Sequence, residues 1–121
     1  MNYIDIQKQI DNTDYWDERV ISLDCNYFSD EVIITFKNCK GKIQLSFEQC
    51  YNVVFNHVKH YNKNIAVKKM MFSQMPYFLQ SIDVSETFDS GERFFKCEIN
   101  MFPLNIQVLC KNIATNISNE Y

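Results

Sequence analysis

Two histidines and five cysteines are the residues in this chain best suited to hold a metal or attack a carbonyl. His57 and His60 form an H-x-x-H pair, which would need Cys50 or an acid to complete a metal site. Zinc signatures pair their ligands as C-x-x-C or H-E-x-x-H, and neither occurs. On a strand, residues three apart point to opposite faces. The pair therefore reads as two surface histidines at a strand end, and no metal or other cofactor is expected. A cysteine nucleophile needs a neighbouring base and an electropositive setting. Cys25, Cys97 and Cys110 sit on the apolar side of alternating runs, where a thiol serves as a small buried hydrophobe. Cys39 lies in a turn, and Cys50 fits either environment. An odd number of widely spaced cysteines reads as free thiols in a reducing compartment.

Other chemistries lack their parts. Phosphate-binding loops need glycines where backbone approaches the anion, and Gly41 and Gly91 are the two glycines of the chain. A G-x-S-x-G elbow is absent. Carboxylates are plentiful and come in three groups: Asp14, Asp17 and Glu18, then Asp30 and Glu31, then Glu86, Asp89 and Glu92. Glycoside hydrolysis needs two carboxylates facing each other across a cleft. Linear spacing does not demand that here, and a solvated rim of charged strand ends accounts for them. No enzyme is expected.

The chain has 121 residues, 46% hydrophobic, 22% charged and 15% aromatic, with a net charge of −3. That composition suits one globular domain spanning residues 1–121. The densest basic step is Lys68–Lys69, so a nucleic-acid-binding face is not expected. No apolar run approaches the ~20 residues that cross a bilayer, and the N-terminus shows no signal-peptide pattern. A cytoplasmic location follows as the expectation, with no membrane partner.

The positioning elements read as follows. Tyr3, Ile6 and Ile10 make one stripe of a short amphipathic helix, with Asn2 as its cap and Asp5 in the first turn. The period then changes from 3.6 to 2. "RVISLDCNY", "DEVIITFK" and "KIQLSF" alternate, with Ile21, Leu23 and Cys25, then Val32, Ile34 and Phe36, then Ile43, Leu45 and Phe47 on one side. The polar pieces "FSD" and "NCKGK" separate them, as in an antiparallel meander with one wet face. Residues 47–61 carry both a helical stripe and a strand alternation. The concentration of β-branched and aromatic residues favours strand, and the helix stays open. "KHYNKN" then reads as a loop and "IAVKKMMF" as a weak strand broken at Pro76. "SIDVSETF", "RFFKCEIN" and "LNIQVLCKNI" are three further strands, the first two joined by "DSGE". The tail "ATNISNEY" should fray. The expected class is α+β: a mostly antiparallel sheet of seven or eight strands, curled or split into a two-layer sandwich, with one N-terminal helix.

Ahead of the first strand stands Trp16, the one tryptophan, beside Tyr15. Trp16 is expected to pack over the end of the core, while Asp17 and Glu18 face outward. Tyr15 is open to two roles, core cap or exposed anchor, since Trp and Tyr dominate binding hot spots.

The segment "YWDERVISLDCNYFSDEVIITFKNCKGKIQLSFEQC" resembles a group of small bacterial proteins classed with the immunity proteins of polymorphic toxin systems. The matching pieces are Trp16–Asp17, "VISL", "VIITF" and "IQLSFEQC". The resemblance covers the first half to two-thirds of the chain, and the group often has His where this chain has Trp16. It implies a non-enzymatic protein that neutralises a cognate toxin by direct contact. Where the toxin is a nuclease its substrate face is basic, and acidic groups speed and select the encounter. Tyr15, Asp17, Glu18, Asp30, Glu31, Glu86, Asp89 and Glu92 are then the expected contact residues, with Phe28 and Phe88 as further anchors. The alternative is a small-molecule-binding β domain holding a ligand in the mouth of a curled sheet. A homodimer through exposed sheet edges stays open beside either reading.

Overall fold

The computed structural model describes residues 1–61 and 64–119. Helix α1 (Tyr3–Asp11) begins where expected: the Asn2 side-chain oxygen accepts from the Asp5 N–H at 2.9 Å, which satisfies one of the open donors of the first turn. Ile6 and Ile10 are its buried residues, while Tyr3 stays partly exposed. Six strands follow: β1 (Val20–Asn26), β2 (Glu31–Asn38), β3 (Gly41–His57), β4 (Ser81–Asp89), β5 (Glu92–Met101) and β6 (Leu104–Ser118). They form one antiparallel sheet in the order β1-β2-β3-β6-β5-β4. The sheet curls without closing. An isolated bridge between Arg19 and Phe78 ties its β1 side to the segment that leads into β4.

Six strands stand where seven or eight were expected, and two differences explain the count. Residues 41–57 are one strand, so "KIQLSF" and the ambiguous "YNVVF" run are its two halves. Between them Gln49 takes a left-handed φ of 54° and the register against β6 slips between Cys50 and Asn52. Such a bulge bends a strand and turns its side chains over. Ile43, Leu45 and Phe47 face the core before it, and Cys50 and Val53 pack against the core after it. The expected weak strand at residues 65–72 is instead two short 3₁₀ turns, Val67–Lys69 and Phe72–Gln74. Of the tail expected to fray, residues 114–118 instead belong to β6, because Lys42–Phe47 offers it backbone partners as far as Lys42↔Ser118, while residues 120 and 121 lie outside the described residues. Of the expected loop "KHYNKN", residues 62 and 63 lie outside the described residues.

The core faces largely agree with the alternation. Val32, Ile34 and Phe36 on β2 and Leu104, Ile106, Val108 and Cys110 on β6 are all buried. On β1, Ile21 and Cys25 are the exceptions and are exposed, while Leu23 is half-buried. β1 is the outermost strand, and α1 packs against β4 and β6 instead. Gly41 is the turn residue whose identity matters. Its φ is +123°, and a Cβ there would meet the Ser118 carbonyl oxygen at 2.1 Å.

The edge formed by β4 is closed by side chains. The Gln7 amide donates to the Ile82 carbonyl at 2.8 Å and its oxygen accepts from the Val84 N–H at 2.7 Å. The Tyr15 hydroxyl accepts from the Ile82 N–H at 2.9 Å. Together they stand in for a neighbouring strand, which protects an edge from foreign pairing. A buried donor or acceptor left without its partner costs about 1–3 kcal/mol. Gln7→Ala is therefore expected to lower unfolding stability by that amount in urea titration, and Tyr15→Phe by about 1 kcal/mol. The exposed Gln9→Ala should change it by less than about 0.5 kcal/mol. Equal effects of Gln7→Ala and Gln9→Ala would refute the capping role.

Candidate partner-binding surface

The connection between β1 and β2 is a tight turn with unusual residues in it. The Asp30 N–H donates to the Tyr27 carbonyl at 3.0 Å, and Tyr27, Phe28 and Ser29 all have positive φ, at 53°, 58° and 68°. A hairpin turn with two left-handed central residues matches the right-handed twist of its strands, and it normally recruits Asn-Gly. Here Phe28 and Ser29 fill those places, and a side chain there costs roughly 1–2 kcal/mol per residue. The turn is held from both sides. The Asn26 amide donates to the Glu31 carboxylate at 2.9 Å, and the Asp30 carbonyl accepts from the Cys50 N–H at 3.0 Å. The result presents Phe28 wholly to solvent, at 108% relative exposure, with Tyr27 at 75%. Asp24, Asp30 and Glu31 flank them.

Sequence reasoning took "FSD" as an ordinary polar turn and missed Tyr27. The available signal was the lack of Gly in a short hairpin connection that carries two adjacent aromatics.

The other expected contact residues occupy different places. Asp17 is exposed and Glu18 half-exposed before β1. β1 is seven residues long, so its two ends lie about 20 Å apart. Glu86, Asp89 and Glu92 belong to the β4–β5 hairpin, on the far side of β3 and β6. All three are engaged within the chain: Glu86 with Arg93 at 4.0 Å, Glu92 with Lys111 at 3.3 Å, and Asp89 accepting from the Ser90 hydroxyl at 3.4 Å. The eight positions are thus not one rim. Tyr15 moves inward. It is 2% exposed and its hydroxyl is committed to Ile82, so it has no surface to offer. Trp16 is corrected in the opposite sense. It stays about half exposed and stacks on Tyr15, with ring centroids 4.4 Å apart.

The thiols are quiet. Burial pushes the Cys50 thiol up to about 11, with Asp30 adding to it, and Cys110 up to about 12. Cys97 is raised well above its ordinary value, again chiefly by burial. Cys50 donates to the Phe47 carbonyl at 3.3 Å, and the His57 ring pairs with the Tyr77 hydroxyl at 3.0 Å, so a Cys50–His57 couple is not formed. Among the described residues, no three His, Cys, Asp or Glu side chains gather as a metal cluster would require. No helix of the described chain is long and apolar enough to cross a membrane. An apolar cleft of about 420 Å³ opens beside β1, lined by Val20, Leu23, His57, Met75, Tyr77 and Leu104 among others.

A protein-family model described as "Immunity protein PIM7" matches residues 2–117. The chain belongs to the PIM7 immunity protein family. Among curated proteins no relative matches. Among the described residues, the β1–β2 turn is the surface feature with three consecutive left-handed residues and two exposed aromatics.

Two expectations follow. Ser29→Gly should raise stability by up to about 1 kcal/mol, since glycine accepts the left-handed backbone without a Cβ clash. No gain in thermal unfolding would show that the turn is unstrained. The thiols fix an alkaline limit. Their folded pKa values exceed the unfolded value near 9, so the folded state holds more protons between about pH 9 and 11. Stability is fully present below pH 9 and falls as pH rises through that window. Cys110→Val should flatten this decline in urea titrations at pH 8 to 11, and an unchanged decline would put its origin elsewhere.

Proposed function

We propose that this protein neutralises a cognate toxin in the bacterial cytoplasm by direct, non-catalytic contact, with the β1–β2 turn at the centre of the contact. The observation that carries the reading is the pair Tyr27–Phe28, displayed to solvent on left-handed backbone. Folding alone gains nothing from an exposed Phe on strained backbone, and strain of this kind concentrates at binding sites. Aromatic residues at the centre of a contact supply most of its energy once a partner desolvates them. Asp30 and Glu31, with Asp24, form the polar surround and favour a basic surface on the toxin. Charges screen beyond about 8 Å at physiological salt. Asp17 and Glu18, and Glu86, Asp89 and Glu92, therefore steer the approach through the net charge of −3 rather than touching the same patch.

The second reading, a small-molecule-binding β domain, has the apolar cleft beside β1 as its supporting observation. Ser22, His57 and Tyr77 are its polar lining groups. Few groups converge there to orient a ligand, so the reading ranks below protein contact.

The test is titration of the purified protein against the toxin domain encoded beside it, at low and high salt. Phe28→Ala should weaken binding by about 2 kcal/mol or more, roughly thirtyfold, with thermal stability unchanged or raised. Raising salt should slow association. Binding with Phe28→Ala and Tyr27→Ala both at wild-type strength would remove the turn from the contact. Toxin inhibited without any complex would remove direct neutralisation altogether.

A further inference from the structure

The two central strands are longer than their neighbours, and among the described residues this leaves Val53 and Phe55 of β3 without a backbone partner on one side. β2 starts at Glu31, opposite Glu48. Beyond that point β3 continues through Tyr51–His57, paired on its other side with β6 as far as His57↔Leu104. The direction of each backbone group follows from the ladder. Val58 donates to the Pro103 carbonyl at 2.9 Å, and groups alternate along an antiparallel strand. Asn52, Val54 and Asn56 therefore address β6, while the N–H and C=O of Val53 and Phe55 point outward. Among the described residues, no backbone hydrogen bond reaches those outward groups. The strip is neutral, has no proline, and keeps Phe55 41% exposed. Natural sheets usually block such an edge with charge, proline or a cover. This chain does so at β4, where Gln7 and Tyr15 occupy the edge, and among the described residues no such bond reaches Val53 or Phe55.

The sequence of the strip also reads almost the same in both directions. In Tyr51-Asn52-Val53-Val54-Phe55-Asn56-His57, reflection about Val54 matches Val53 with Phe55, Asn52 with Asn56 and Tyr51 with His57. We propose that Tyr51–His57 pairs antiparallel with the same segment of a second copy of this chain, about a twofold axis at Val54. The outward backbone groups fit that register. Val53 and Phe55 become the hydrogen-bonded pair, exchanging N–H···O=C bonds in each half, and Val54 meets Val54 as the closer, non-hydrogen-bonded pair. From Asn52 to Asn56 every cross-strand pair then joins like with like, apolar to apolar and amide to amide, which is what stabilises antiparallel pairs. An isologous contact of this kind closes on itself and joins two six-stranded sheets into one. The inference is independent of the toxin reading.

The twofold makes a specific experiment available. Val54 is half-buried on the outer face beside Gln107, so a charged side chain there can reach solvent without disturbing the core. The association state of the wild-type chain, Val54→Lys, Val54→Glu and an equimolar mixture of the two variants is measured by sedimentation velocity over a dilution series, with circular dichroism confirming the fold. The wild type should be dimeric. Each variant alone should dimerise at least about tenfold more weakly, because it sets like charges directly opposite one another. The mixture should recover a Lys–Glu heterodimer. A wild type that is monomeric throughout overturns the proposal. A dimer that both variants leave intact, or one that the mixture fails to restore, places the contact on another surface and overturns it equally.

Discussion

The ladder between β3 and β6 is the constraint on which the rest of the structure depends. It runs from Lys42↔Ser118 to His57↔Leu104, longer than either neighbouring pair of strands can cover. The β1–β2 hairpin attaches along the first half of β3, and the β5–β4 hairpin along the first half of β6, from Leu104 to Cys110. Because β3 and β6 are antiparallel, those halves lie at opposite ends of the ladder, and the sheet is stepped. The β1–β2 turn emerges half-way along β3, where Asp30 takes the Cys50 N–H, and the edge beyond it is left open. A shorter β3 would abolish both features together.

Bending at Gln49 makes this long strand compatible with one core. A strand of 17 residues held flat would extend over 50 Å, far beyond what the other strands could cover. The left-handed Gln49 and the slip at Tyr51 turn the second half of the strand, and the β6 side answers with its own change of face between Cys110 and Ile113, both buried. The two halves of the sheet then enclose shared apolar residues. The polar Gln7 and the half-polar Tyr15 finish the enclosure at β4. Their value lies in satisfying backbone groups, since each bond replaces water that the packed helix has displaced.

Period-2 alternation made most of this legible in the sequence. Val32, Ile34 and Phe36, then Ile43, Leu45 and Phe47, then Leu104 to Cys110 were assigned to the correct face by that period alone, and the Asn2 cap by its side chain. Features set by long-range pairing were not legible. Residues 51–57 become strand because β6 holds them, which local propensity only weakly favours. Residues 114–118 are polar and looked like a frayed end until Lys42–Phe47 supplied their partners. Trp16 and Tyr15 exchanged roles because Asp14 and Asp17, both at positive φ, wind the chain tightly enough to turn Tyr15 inward. Of the acidic residues, Asp30 and Glu31 lie beside the exposed turn, and the others are dispersed by a strand order that no local pattern encodes.

The open strip and the strained turn also constrain each other. Both lie on the β2 side of β3, the turn beside Cys50 and the strip beginning one residue further on. In a pair related by a twofold at Val54, each turn would lie near the far end of the other copy's strip, and the two would be about 27 Å apart along the strand direction. Such a pair would carry two aromatic turns on one continuous sheet, each beside a chain boundary. A small basic toxin domain seated on one turn would then be positioned to touch the second copy as well.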